Sequence, residues 1–296
     1  MKVASSQYKV KPLQSYQQFE EHVRWHLDRA AEQGAELLLL PEFLSVELLT
    51  LHNIQITSMD EMNGVFKEFA KRYSAPLMDT FSRLAKEYSM LLAAGTHFMY
   101  YEDEDKYYNS GLLFTPDGRQ FVQNKIHPSY ELVYNKSITS PGTELGVFEE
   151  RGVKYGVSVC YDGSFPEIGR ILGKLGADVL LAPTCCLDDW GKNRNILFSQ
   201  ARATENQVFV INSHLIGALP FPTHIPYGFV FTGQSGIYSP IQPMIGTSSG
   251  IVKQGEPNVE MVVVADIDVD YLRYIREHGH NRNLKDMRPE FYQRYA

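Results

Sequence analysis

Apolar residues along this chain change their spacing from one stretch to the next, and each change marks an element. Residues 2 to 8, KVASSQY, read as a first strand. Between Ser15 and Gln33 the positions Phe19, Val23, Leu27, Ala30 and Ala31 recur at helical intervals, with Ser15 and Gln18 placed as a capping box and Gly34 as the stop. ELLLL, residues 36 to 40, runs apolar into Pro41, the pattern of a strand covered on both faces by helices. Two weaker helical stretches, about 58 to 72 and 75 to 88, lead into the strand MLLAAGTHF at 90 to 98. YYNSGLLFT and RQFVQNK, either side of the turn PDG at 116 to 118, read as successive antiparallel strands, and the acidic run EDED at 102 to 105 as a solvated turn.

After GVKYGVSV the order repeats, with a helix near 166 to 175, a strand DVLLA, a helix near 193 to 206 and a strand VFVIN. GAELLLLPE (34 to 42) and GADVLLAPT (176 to 184) share Gly-Ala, an acid, an apolar strand and a proline in one register. The repetition predicts two similar halves, each a sheet with helices outside, packed without a linker. Residues 1 to 296 are therefore expected to form one α/β domain.

Composition narrows the range of functions. With 28 Lys+Arg against 35 Asp+Glu the net charge is −7, which argues against a phosphate-tracking surface and so against nucleic acid as a partner. The three cysteines, Cys160, Cys185 and Cys186, do not form the disulfide framework of a secreted protein. MKVASSQYKV has no signal-peptide pattern, and no apolar run approaches the ~18 residues of a membrane span. A cytoplasmic protein that does not engage a membrane is expected.

Three segments each carry a reactive residue just past an apolar strand. Glu42 follows LLLLP, Lys125 follows FVQN, and Cys160 follows GVSV where Gly163 and Pro166 force the chain to turn. Singly, each has an ordinary reading: a capping carboxylate, a solubilising lysine, a core thiol. Together they supply the proton shuttle, cation and nucleophile that thiol-dependent attack on an amide or nitrile needs, and strand ends of an open α/β sheet can converge on one pocket.

The series LLLLPE, NKIHPSYE, VCYDGSFPE resembles the nitrilase superfamily of carbon-nitrogen hydrolases, and ARATENQVFVINS, GQSGIYSP and NLKDMRPEFY extend the likeness over nearly the whole chain. The resemblance implies a four-layer αββα sandwich, a catalytic triad of Glu42, Lys125 and Cys160, and Glu131 as a second acid orienting the site. It also implies a homodimer, for which the segment 274 to 296 looks suited to reach across a partner. Tyr161-Asp162 after the cysteine favours a small amide or carbamoyl substrate over a nitrile, and the branch it is most similar to includes members fused to an acetyltransferase-like domain.

The residue types suggest a mechanism. Glu42 takes the thiol proton, Lys125 holds the thiolate and then the oxyanion, and the backbone N–H of Tyr161 assists. Ammonia or an amine leaves with a proton from Glu42, and water then releases the acid from the thioester. A nitrilase, an acyl transferase and a silent binding member of the same fold are the alternatives. His127, on the face of Lys125, and Asp162, Thr184 and Cys185 are further candidates for the pocket wall. Cys186 shares the position of Cys185, and His278 and His280 are too few ligands for zinc. The triad needs no metal, and no metal or cofactor is expected.

Overall fold

The structure, a computed structural model, describes residues 1–52, 54, 59–129, 139–220 and 230–295. The first half runs β1 (Lys2–Val10), α1 (Tyr16–Glu32), β2 (Leu37–Leu39), α2 (Met59–Glu87), β3 (Leu91–Tyr101), β4 (Lys106–Phe114) and β5 (Gln120–Asn124). The second runs β6 (Val147–Glu150), β7 (Val153–Val157), α3 (Pro166–Lys174), β8 (Val179–Cys185), α4 (Asp189–Asn206) and β9 (Phe209–Ala218). β10 (Val230–Phe231), β11 (Gly236–Tyr238), β12 (Ile251–Gln254), β13 (Met261–Asp266), α5 (Val269–His278) and α6 (Pro289–Tyr292) follow.

Strand alternation builds the layers. In β2, Leu37 and Leu39 point to one face and Leu38 to the other, and β3 and β8 divide the same way. Leu37, Leu39, Leu91 and Ala93 meet Val157, Val179, Leu181 and Ile211 in one apolar cluster, so two sheets pack face to face. Leu38, Leu92 and Ala94 pack outward against Phe19, Val23 and Leu27 of α1 and Phe66, Leu77, Phe81 and Leu84 of α2. Leu180 and Val210 pack outward against Ile168 and Leu172 of α3 and Ala203 of α4. These three cores separate four layers, helix, sheet, sheet, helix.

The strand pairings run β5-β4-β3-β2-β1 and β9-β8-β7-β6, with β1 also paired antiparallel to β13 and β9 to β11. Among the described residues, the two sheets join where the tails of β1 and β9 pair in parallel, Gln7 with His214 through Val10 with Gly217. The echo between the halves is visible here, since α1 stops at Gly34 before β2 as α3 stops at Gly176 before β8.

Several element boundaries differ from the sequence pattern. The two helices expected at 58 to 72 and 75 to 88 are one helix, α2, with Pro76 inside it. Proline removes one backbone hydrogen bond, but Phe69, Tyr73, Leu77 and Phe81 keep one buried stripe across it, and that packing outweighs the break. α4 begins at Asp189, four residues before the expected start, because the Asp188 side chain caps it by accepting the Gly191 N–H at 2.6 Å. At α1, Ser15 Oγ accepts the Gln18 N–H at 3.2 Å as expected, while Gln18 Oε1 accepts from Gln14 N–H, one residue before the cap. The acidic run at 102 to 105 forms an exposed turn, with Asp105 paired to Lys67.

Candidate active site

Glu42 leaves β2 through Pro41, and β3 is shaped to receive it. Gly95 has φ +65° inside a bulge of β3, and a Cβ there would stand 1.9 Å from the Pro41 carbonyl oxygen. Past the bulge, Thr96 Oγ1 accepts the Phe43 N–H at 3.1 Å, so both sides of Glu42 are fixed to β3. The Glu42 side chain is 1% exposed and fully engaged. Oε1 accepts from Asn109 Nδ2 at 2.7 Å and from Lys125 Nζ at 2.8 Å, and Oε2 accepts from the Cys185 N–H at 3.1 Å.

Lys125 follows β5 and is 2% exposed. Its backbone N–H donates to Asn109 O, and its ammonium also donates to Ser129 Oγ at 3.0 Å. Burial works against the charged form, yet the negative charge of Glu42, then Cys160, then Asp162 holds its pKa well above the usual lysine value. The two form a buried ion pair, and the contacts of both side chains given above are hydrogen bonds.

Cys160 comes three residues after β7 and opens a tight 3-10 turn, Cys160–Ser164, so the strand-end thiol expected from the sequence stands on the turn itself. Its φ is +47°, an uncommon conformation for a residue with a side chain and one that recurs where a site holds a side chain in a set direction. The thiol points to the Cys185 carbonyl at 3.6 Å. Cys185 therefore bridges the acid and the thiol through its main chain, its N–H on Glu42 and its carbonyl facing Cys160.

Asp162 ties the lysine segment to the cysteine turn. Its carboxylate accepts from the His127 N–H at 2.8 Å, His127 Nδ1 at 2.9 Å and the Ile126 N–H at 3.3 Å. Burial raises its pKa, partly offset by Lys125 and the His127 contacts. The His127 ring stacks on Phe165 at 3.7 Å, and Tyr161 meets the edge of the same phenylalanine. Tyr161 is 45% exposed, while its main chain lies at the start of the Cys160 turn.

Glu42, Lys125, Cys160, Asp162, His127 and the main chain of Cys185 are thus brought together, whereas Thr184 is drawn away. Its buried hydroxyl donates to Ala182 O within β8 and accepts from Asn212 Nδ2 of β9 at 2.9 Å, the second bond tying the two strands. Glu131 falls outside the described residues. Sequence reasoning missed Asn109, a polar residue inside the strand YYNSGLLF whose amide holds Glu42, and gave no distinct role to Cys186. A hydrogen bond with Cys160, then burial, push the Cys186 thiol well up, and its sulfur also accepts from Asn195 Nδ2 at 3.4 Å. A cleft of about 640 Å³ bounded by Leu13, Tyr16, His52, Arg72 and Tyr73 shares no residue with this site.

The profile of the carbon-nitrogen hydrolase family matches residues 2–277. The probable hydrolase YhcX of Bacillus subtilis is 31% identical over 99% of this chain, which spans 54% of that protein's length. The omega-amidase NIT2 of Xenopus tropicalis is 30% identical over 85% of this chain and 83% of its own. In structure, a carbon-nitrogen hydrolase from Helicobacter pylori superposes with a TM-score of 0.80 at 22% identity, over 100% of this chain and 98% of that one. With the profile spanning both sheets and all three strand-end segments, the chain belongs to the carbon-nitrogen hydrolases of the nitrilase superfamily.

Proposed function

We propose that the protein hydrolyses a non-peptide carbon-nitrogen bond of a small amide or carbamoyl compound through a thioester on Cys160. The observation that carries this reading is the buried Glu42–Lys125 pair at 2.8 Å, joined through Cys185 to the thiol of a residue whose own backbone is left-handed. Glu42 is the base that takes the Cys160 proton, and sulfur attacks the carbonyl carbon. Lys125 and the Tyr161 N–H offset charge on the oxygen of the tetrahedral adduct. The adduct collapses as Glu42 returns its proton to the nitrogen, and ammonia or an amine leaves. Water, deprotonated by the same carboxylate, attacks the thioester and releases the acid and the thiol. Asn109 and Ser129 position the acid and the lysine, and Glu131 is assigned an orienting role on family likeness alone. The omega-amidase relative agrees with an amide substrate.

The test is kcat/KM on amide and nitrile substrates of the same carbon skeleton, with short ω-amides, aliphatic amides and N-carbamoyl amino acids in the panel. Amides should lead by at least tenfold, about 1.4 kcal/mol in barrier, and a consistent lead for nitriles overturns the amide assignment. Cys160→Ala should stay folded without turnover. The wild type should show an acyl adduct by intact-protein mass spectrometry, and hydroxylamine should divert that adduct to a hydroxamate.

A further inference from the structure

Outside the residues of the candidate active site, α1, β1 and the residue before β13 bring a second group of reactive side chains together. His22 and His26 stand four residues apart on the inner face of α1, and both are buried. Their outer nitrogens converge with a carboxylate oxygen of Glu260. His22 Nε2 lies 2.6 Å from Glu260 Oε1 and His26 Nε2 3.5 Å from the same atom, with all three ligand atoms within 4.8 Å of one another.

Each imidazole is held from behind. His22 Nδ1 contacts Glu47 Oε2 at 3.2 Å, and His26 Nδ1 contacts Ser6 Oγ at 3.0 Å. Glu47 is itself fixed by the Tyr8 hydroxyl at 2.8 Å and the Lys11 N–H at 2.7 Å. The Tyr8 ring packs against both imidazoles, at 4.1 and 4.8 Å between centroids. A carboxylate or hydroxyl on one ring nitrogen, with the other aimed at a common point, is how metal-binding histidines are oriented.

His26 Nε2 is the observation that an ordinary ion pair leaves unexplained. His22 can bridge Glu47 and Glu260 as a cation, but His26 is 0% exposed and its Nε2 makes no hydrogen bond of ordinary geometry, its nearest acceptor being the Glu260 Oε1 that His22 already holds, 3.5 Å away. A buried ring nitrogen held this loosely is costly. A metal ion between the three donors satisfies it.

We infer that His22 Nε2, His26 Nε2 and Glu260 form a binding site for a first-row divalent transition ion, with Zn²⁺ the expected occupant. Two neutral imidazoles and one carboxylate suit such an ion better than Mg²⁺ or Ca²⁺, which prefer all-oxygen sets. Donors on one zinc at ~2.1 Å stand roughly 3.4 Å apart. Glu260 therefore turns outward from His22, while its 3.5 Å contact with His26 is already near that separation. Its side chain, 27% exposed, has the freedom to do so and leaves a route for the ion and a fourth position for water. Binding displaces any proton that His22 carries, which passes to water, and Glu47 and Glu260 together balance the two positive charges.

The test is direct titration of the metal-free protein with Zn²⁺ by calorimetry, and with Co²⁺ by visible absorption. The wild type should take up one ion per chain at this site with micromolar or tighter affinity, and its melting temperature should rise with Zn²⁺. His26→Gln, which leaves the His22 contacts in place, and Glu260→Gln at the exposed margin should each weaken that binding at least tenfold and remove the thermal shift. These variants also separate the site from zinc caught by the three thiols, which both retain. Absence of binding to the wild type at 50 µM Zn²⁺, or binding unchanged in either variant that folds, overturns the assignment.

Discussion

Glu42 and Lys125 are each about as buried as a core leucine, and only their mutual contact and hydrogen bonds make that tolerable. Lys125→Met leaves a buried carboxylate without its counter-charge and should cost about 3 to 5 kcal/mol of stability. The double variant Glu42→Gln, Lys125→Met should regain part of that loss in urea unfolding while remaining inactive, which separates the structural effect of the pair from its chemistry. Buried histidines give a different signature. Burial lowers His97 and His214 to about 3, so the folded protein keeps both neutral where the unfolded chain protonates them near 6.5. Their folded pKa values lie below the unfolded ones, so the unfolded state binds more protons and stability falls as pH drops below 6.5 toward 3. Between pH 7.0 and 5.5 each should account for about 1 kcal/mol, and His97→Gln should flatten the pH dependence of urea unfolding by that amount.

At the scale of elements, the bulge of β3 decides where the acid stands. Gly95→Ala sets a methyl group against the Pro41 carbonyl, so the Pro41–Glu42 segment must move. We expect kcat to fall at least tenfold with the far-ultraviolet spectrum preserved, since the strand pairs on either side remain; unchanged kcat would show that Glu42 does not depend on this contact. The bulge also marks how far the sequence can be read. Strands and helices were legible because β2, β8 and α1 repeat their apolar residues at fixed periods, and Glu42, Lys125 and Cys160 stood out as reactive residues after such runs. Gly95 was not legible, because its need arises from a carbonyl more than fifty positions earlier in the chain. Asn109 looked like one polar residue in a strand until Glu42 was placed opposite it. The continuity of α2 through Pro76 was hidden for the same reason, since only the partners of its buried stripe outweigh the missing hydrogen bond.

The whole molecule carries apolar side chains on the helical layer beside the cysteine turn. Ile171 and Leu175 at α3 and Trp190 and Leu197 on α4 are exposed, Trp190 by 79% and Leu197 by 62%. Residues of this kind in one layer are characteristic of surfaces that pair, and we infer that two copies associate here as a homodimer, with the C-terminal residues from Tyr274 onward contributing. Sedimentation velocity should give a dimer at micromolar concentration and Leu197→Glu should shift it toward monomer; a wild-type monomer at that concentration overturns the pairing. The join between the sheets has a consequence of another kind. β1 precedes the other described strands in the chain, yet one of its edges is covered by β13, the last of them. Cys160 is in place about a hundred residues before that cover exists, an interval of roughly 5 to 20 s at ordinary rates of protein synthesis. A growing chain therefore holds every residue of its proposed chemistry while β1 still presents an open edge, and order of manufacture, more than order in space, sets when this fold is most exposed to mispairing.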